Sequence, residues 1–551
     1  MVKRLLPFDD ARRPHACLAG SMGTKVLATC SPLPDTANDM GGSLPISIPR
    51  QPAVGRSPGR LLSRTSLVAA LILLLSGAFL FIDRTTLPIQ LWDESRNIVN
   101  ALEMHRNGLG LVTTYGDAPD LWNTKPPLLI WLMTASVGIF GPSEWALRLP
   151  SMVAALGTIS LLFWFVRRTT RSTVNAALSA ALLVLSPAYF GEHSARTADF
   201  DLPLLFFVTA YLFLLFLALH RPRPSAALLA LIGAGIVCAF LTKSVAALVP
   251  GLGVIPYVIL TGRWRRLFTT PRYIFTALGV VVVLTVFLLL RETQSPGYLR
   301  AAWLNDVSGR FVSSLVLPKS RWFYIDQLWA GFFAATPLLL LSPIFLFCVH
   351  GRERFVLLFS LCIVTTMLVV FTFAASKLHH YILPAFPFMA IAAATSCRTA
   401  IAGARTALRR NMRYARPGAA VLLLVAVVPV MMGVTGAIAR RYYVPTVGEG
   451  ARSGQYSALF ATIVPRADRQ ILVVDPGFVL EGKPHYTPVL LAYREIWAAR
   501  GVAIGHSTDL AATDRNRGVI LASCDPVEVA RLRAKGRDMA GVRDCAAVAV
   551  N

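Results

Sequence analysis

Apolar runs of about 17–22 residues recur along this chain, and a helix needs roughly 20 to cross the hydrocarbon core of a bilayer. Backbone amides inside lipid must be satisfied within the segment, so such a chain is committed to membrane helices. Its 551 residues are 55% hydrophobic and only 15% charged, too apolar for a soluble protein of this length. The expected fold class is an all-α polytopic membrane protein with about eleven transmembrane helices. The spans read as 66–82, 149–166, 174–190, 201–219, 225–241, 245–261, 273–290, 329–349, 355–374, 378–396 and 418–437.

A net charge of +25 would suggest a nucleic-acid partner in a soluble chain. Here the basic residues gather in short loops between spans: "RRTTRS", "HRPRP", "GRWRRLFTTPR", "HGRER" and "RTAIAGARTALRRNMRYARPG". The positive-inside rule places these loops in the cytoplasm, so no nucleic acid is implied. Residues 1–65, rich in Pro, Ser, Gly and Arg, read as a disordered cytoplasmic leader. The first apolar run comes too late for a cleavable signal peptide and is long enough to stay as an anchor. Residues 66–437 then form the membrane domain, with a long first outer loop at 83–148.

Eleven spans put residues 438–551 outside, in the periplasm. There "ILVVDPGFVL", "GVAIG" and "GVILASC" read as strands, and "TPVLLAYREIWAAR" and "DPVEVARLRAKG" as helices. This alternation predicts a small α/β domain. Cys524 and Cys545 share it, in a compartment where a disulfide is permitted; sequence leaves their separation open.

The outer loops carry the polar chemistry. Asp93 and Glu94 of "LWDESRNIVNALEM" stand just past the first span, where acids are costly unless solvated, paired or used. A helix cap would explain them, and Gly108 supplies the helix stop. Lys125 of "LWNTKPPLLIWL" precedes two prolines that open a helix, so it either snorkels or binds phosphate at the helix entrance. "ARTADFDLPLLFF" holds Arg196, Asp199 and Asp201; the two acids do not share a helical face and need different partners. Lys243 falls in a tight turn at membrane level. Lys377, His379 and His380 lie at the outer end of the tenth span, the two histidines about 100° apart on a helix, which argues against a shared metal. Arg310 and Tyr324 belong to the loops around 291–328. Cations, hydroxyls and acids on one face suit an anionic lipid headgroup.

These motifs, with "GPSEWALRLPS", "FLTKSVAALVPG" and "SKLHHYILPAFP", occur in an order that resembles the bacterial polyprenyl-phosphate sugar-dependent glycosyltransferases. That group includes the aminoarabinose transferase acting on lipid A and the protein O-mannosyltransferases. The resemblance spans about residues 65–400. It implies a GT-C fold with two membrane-surface helices in the first outer loop, and inverting sugar transfer from a polyprenyl phosphate in a bacterial inner membrane. Asp93 matches the acid that acts on the acceptor, and Glu94 its acidic neighbour. Lys125, Arg310 and Tyr324 match donor-phosphate contacts, and Asp199 and Asp201 match acids of the second outer loop. The chain departs from the aminoarabinose transferases at two positions associated there with a metal. Thr124 replaces a glutamate, and "NDVSGRF" has no histidine.

The expected chemistry needs a base for the acceptor and fixed cations for the leaving phosphate. Asp93 is assigned as the base and Glu94 as its modulator; Lys125, Arg310 and Tyr324 face the phosphate. Arg196, Asp199, Asp201, Lys243, Lys377, His379 and His380 are further candidates. No metal or other cofactor is required by this reading. The acceptor is a glycolipid such as lipid A, a polysaccharide or a protein. The rival reading is a transporter or flippase of lipid-linked sugars, which would place charges at the bilayer midplane rather than at one face.

Overall fold

The computed structural model of the chain describes residues 64–81, 89–90, 93–189, 193–312, 319–332, 335–409, 449–475, 488–507, 518–542 and 544–550. The leader read for 1–65 lies almost wholly outside them, and the span at 418–437 lies outside them entirely. The helices of the apolar body are α1 (Arg64–Phe81), α2 (Asp93–Asn107), α3 (Leu128–Phe140), α4 (Glu144–Thr170), α5 (Thr173–Val184), α6 (Asp201–Leu219), α7 (Ala226–Lys243), α8 (Val254–Leu260), α9 (Trp264–Thr269), α10 (Pro271–Gln294), α11 (Tyr298–Ala302), α12 (Phe323–Gln327), α13 (Thr336–Phe345), α14 (Gly351–Phe373) and α15 (Phe386–Arg409).

Among the described residues, six helical stretches are long and apolar enough to cross a membrane; a bent pair, Phe323–Phe332 with Thr336–Phe345, makes a seventh if it counts as one span. Several of the expected spans take a different form. The runs at 66–82 and 174–190 yield shorter apolar helices, Thr65–Gly77 and Thr173–Val184. The run at 245–261 is broken: two short 3₁₀ turns, the second beginning at Pro250, precede α8. Pro250 supplies no amide to a helical ladder. Gly253 lies so close to α14 that a Cβ would stand 2.6 Å from the Ile363 Cα. The break lets backbone approach backbone where a regular helix would hold them apart.

The core of the body is built from α4, α5, α6, α14 and α15. Phe165 stacks on Phe213 at 3.8 Å, and Phe388 meets Phe213 edge-on. The run Ala392, Ala393, Ala394 of α15 is wholly buried; such small residues let a central helix approach its neighbours closely. α10 is the opposite case: only Phe287 and Arg291 on it are buried.

At one end of the body, α2 and α3 pack together and carry a domain of mixed structure. This comprises α16 (Glu449–Ile463), β3 (Ile471–Val474), α17 (Pro488–Ala498), β4 (Ile504–Ser507), β5 (Val519–Ser523), α18 (Pro526–Lys535) and β6 (Ala546–Val550). A two-residue hairpin, β1 (Thr114–Tyr115) with β2 (Ala118–Pro119), precedes it in the first outer loop. The sheet runs β4-β3-β5-β6, the first three strands parallel and β6 antiparallel to β5. The three strands and two helices read from the sequence are all present; β6 and α16 are additions. Cys524, just after β5, is bonded to Cys545, just before β6. This domain docks on α2: Ile98, Leu102, Tyr456 and Tyr493 share one apolar cluster, and Arg106 pairs with Glu495 at 2.8 Å.

Candidate active site

A polar lattice fixes the outer loops before any ligand is considered. α2 starts at Asp93 and stops at Gly108, whose φ of +97° ends the helix. Glu94 reaches back to the amide of Gln90 at 2.7 Å and forward to the amide of Ala198 at 2.9 Å. Both its oxygens also take Arg148, at 2.7 and 3.1 Å. The segment "DLWNTKPP" is held in the same manner. Asp120 receives Arg96 through two bonds of 2.7 Å, the side chain of Asn100, and the amides of Trp122 and Asn123. Asn123 in turn donates to Asn97 and Asn100, and Asn97 to the carbonyl of Ala198. α2, the Lys-Pro-Pro segment and the turn before α6 are thus one unit.

That unit presents its remaining polar groups to a pocket. Asp93, Lys125, Asp201, Lys243, Asp306, Arg310, His380 and Tyr381 form the polar part; Leu204, Val245, Met367, Phe371 and Pro384 form an apolar wall. Asp93 keeps 42% of its side-chain surface open. Burial raises its carboxyl, but Lys125, His193, Lys243 and Arg310 outweigh burial and push it down to about 2. It is therefore a carboxylate at any physiological pH. Asp201 pairs with Lys243 at 2.7 Å, while Asp199 faces His193; the two acids have different partners, as their spacing demands.

The later loop closes the pocket. Arg310 is bound to the hydroxyl of Tyr381 and to the carbonyl of Asn305 at 3.2 Å. Ser376 ties down the loop through the carbonyls of Gly309 and Arg310. Thr124 donates to Asp306 of the "NDVSGRF" loop at 3.2 Å.

Not every candidate faces the pocket. Glu94 is fully enclosed by its ties to Arg148 and the backbone. Tyr324 is buried and donates to the carbonyl of Leu378 at 3.1 Å; Tyr381 is the tyrosine that lines the pocket. Lys377 is buried on the carbonyl of Ala374 at 2.9 Å, and His379 is exposed while its neighbour His380 is buried. Arg196 lies on the turn before α6 and does not line the pocket.

Sequence reasoning missed His193. Its Nδ1 is 3.4 Å from Asp199 and 3.9 Å from Asp93, and its ring centroid is 4.4 Å from that of His380. Burial lowers this imidazole, but Asp199, Asp93 and Asp201 outweigh it and push it up to about 9. His193 has a φ of +55°, a left-handed conformation that a non-glycine residue adopts only when the surroundings hold it there. The amides of Ser194 and Ala195 are held by Thr197 and Tyr189. Its place in "GEHSARTADF", on the same side as Asp93, was the available signal.

Several long apolar helices with a polar pocket at one end make this a mainly helical, multi-pass membrane protein. Its motif order is similar to that of the polyprenyl-phosphate sugar transferases, and known proteins of that group match parts of the chain. Residues 124–290 match the family described as dolichyl-phosphate-mannose-protein mannosyltransferase. The undecaprenyl phosphate-α-4-amino-4-deoxy-L-arabinose arabinosyl transferase of Pseudomonas aeruginosa strain UCBPP-PA14 is 28% identical over 273 residues, 47% of each chain. The enzyme of that name from Enterobacter sp. strain 638 is 27% identical over 348 residues, 61% of each chain. The chain therefore spans roughly half the length of these curated relatives. The crystal structure of ArnT from Cupriavidus metallidurans bound to undecaprenyl phosphate superposes with a TM-score of 0.58 at 18% identity, covering 88% of this chain and 98% of that one.

Proposed function

We propose that this protein is an integral-membrane glycosyltransferase that moves a sugar, with inversion, from a polyprenyl-phosphate donor to an acceptor at the outer face of a bacterial inner membrane. The observation that carries this reading is the two-sided pocket. Its apolar wall suits a prenyl chain, and Lys125 and Arg310 suit the phosphate that leaves as the sugar moves. Asp93 takes the acceptor, either accepting its hydrogen bond or removing its proton. Glu94 is a positioning residue that fixes the helix on which Asp93 begins. Tyr381, through Arg310, takes the place at the phosphate expected of Tyr324. The Lys243–Asp201 pair forms the wall beside Leu204. No metal is assigned to the Thr124–Asp306 position. Under this reading eleven spans leave the leader in the cytoplasm and the 438–551 domain in the periplasm. The names of the relatives favour an undecaprenyl-linked aminosugar as donor; the acceptor is a glycolipid such as lipid A, a polysaccharide or a protein.

The test has two arms. Mass spectrometry of envelope glycolipids and glycoproteins, with and without the gene, should reveal one species that loses a sugar-sized mass. The purified protein should restore that mass from a lipid-linked donor while releasing polyprenyl phosphate. Movement of intact lipid-linked sugar across vesicle bilayers without cleavage would replace this reading with the flippase.

A further inference from the structure

The polar groups around His193 are arranged differently from the rest of the site. Asp93, His193 and Asp199 each offer one ligand atom, and all three atoms lie within 4.8 Å of one another. Two ligands about 2.1 Å from a tetrahedral ion stand about 3.4 Å apart, which is the His193–Asp199 separation. The third ligand, Asp93, is 3.9 Å from the imidazole, within reach of a small side-chain rotation. A second observation points the same way. Oδ1 of Asp199, a residue only 2% exposed, has no hydrogen-bond partner, and neither do Nδ1 of His193 and Nδ1 of His380. His380 is 7% exposed and its ring stands against that of His193. Buried polar atoms left in this state are costly unless something absent from the apoprotein engages them. The serine hydroxyl of Ser151 holds the Asp199 backbone at 3.1 Å, so the carboxylate is presented from a fixed base.

We propose that Asp93, His193 and Asp199 bind a divalent cation of the Mn²⁺ or Zn²⁺ kind. Two carboxylates and one imidazole are a donor set for borderline to hard first-row ions. This position is separate from Thr124 and Asp306, whose side chains satisfy each other. Charge balance supports it. Asp201 matches Lys243 within the pocket wall. Asp93 and Asp199 carry two negative charges against the single positive charge of His193, a proton that a bound cation would displace. The ion's remaining positions would be open to an oxygen of the ligand in the pocket that Asp93 lines. Only this last step rests on the transferase reading; cation binding does not.

The experiment therefore measures binding without substrate. The full chain, purified in detergent and stripped by chelator, is titrated with Mn²⁺ and separately with Zn²⁺. The expected result is one ion per chain, with Mn²⁺ spin-echo spectra showing modulation by one imidazole nitrogen. His193→Ala should abolish that modulation, and Asp199→Asn should weaken binding by more than about tenfold. Thr124→Ala should bind as the parent does. Thermal unfolding in chelator verifies that each variant is folded; should His193→Ala fail to fold, His193→Gln and Asp199→Asn carry the test. Absence of stoichiometric binding at millimolar metal overturns the proposal. So does binding unchanged by substitutions at His193 and Asp199, or binding lost in Thr124→Ala alone. Transfer activity assayed separately distinguishes this failure from failure of the transferase reading.

Discussion

Two polar clusters stand side by side at one end of the helical body, and they are built on opposite terms. Around Glu94 and Asp120 the carboxylate oxygens are engaged by arginine, asparagine and backbone amides. Around Asp93 and His193 the arrangement is looser: Asp93 is part-exposed, His193 meets Asp199 only at 3.4 Å, and Oδ1 of Asp199 and Nδ1 of His380 are buried without hydrogen bonds. Adjacent residues in one sequence, Asp93 and Glu94, fall on either side of this divide. Carboxylates engaged in this way have no free oxygen to offer a ligand and serve as scaffold. An unsaturated cluster, held rigid by its saturated neighbour, is where binding chemistry belongs.

The largest test of that contrast is Asp93→Asn. The substitution keeps the shape and removes the charge, so transfer should fall by about 10²–10⁴ while thermal stability stays near that of the parent. Near-normal turnover at saturating donor and acceptor would move Asp93 into the scaffold. Glu94→Gln should do the reverse. It breaks a buried pair with Arg148, whose side chain is 4% exposed, and should cost about 3–5 kcal/mol of stability, read as a lower unfolding temperature. Unchanged unfolding would mean that the pair is not structural. Lys125→Ala comes next, with about 1.5–3 kcal/mol lost from donor binding, read as a raised donor KM at intact fold. An unaltered KM would remove Lys125 from the phosphate. Tyr324→Phe should have the smallest effect. It loses one bond to a carbonyl, about 0.5–1.5 kcal/mol of stability, and leaves donor KM alone. A rise in KM as large as that of Lys125→Ala would restore Tyr324 to the phosphate.

The contrast also explains what the sequence could and could not tell. Motif order pointed to loops whose residues Asp93, Lys125, Asp201, Lys243, Arg310 and His380 the structure brings to one pocket. The mutual exclusion of Asp199 and Asp201 was legible from helical geometry alone, and so was the split between His379 and His380. The fate of Glu94 was not, since Arg148 lies 54 positions away. Tyr324 and Tyr381 both follow aromatic-rich outer segments, and only packing decides which hydroxyl reaches Arg310. His193 was passed over because a lone histidine in a polar turn carries no pattern; its meaning depends on a backbone conformation that no local signal announces. At 245–261 composition reads as one membrane helix, and the Pro250–Gly253 break seen in the structure does not alter the hydropathy.

The Asp120 cluster has a further consequence for timing. A lysine that must be ordered when its ligand arrives subtracts that ordering entropy from affinity. Here the backbone beneath Lys125 is already immobilised by the bonds of Asp120 and Asn123, so the loss falls on folding and not on ligand capture. Only the lysine's own four-carbon stem remains to be stilled. The Lys-Pro-Pro segment is therefore a poor candidate for a gate, and the motions that admit a donor and release its phosphate must arise in other parts of the pocket wall.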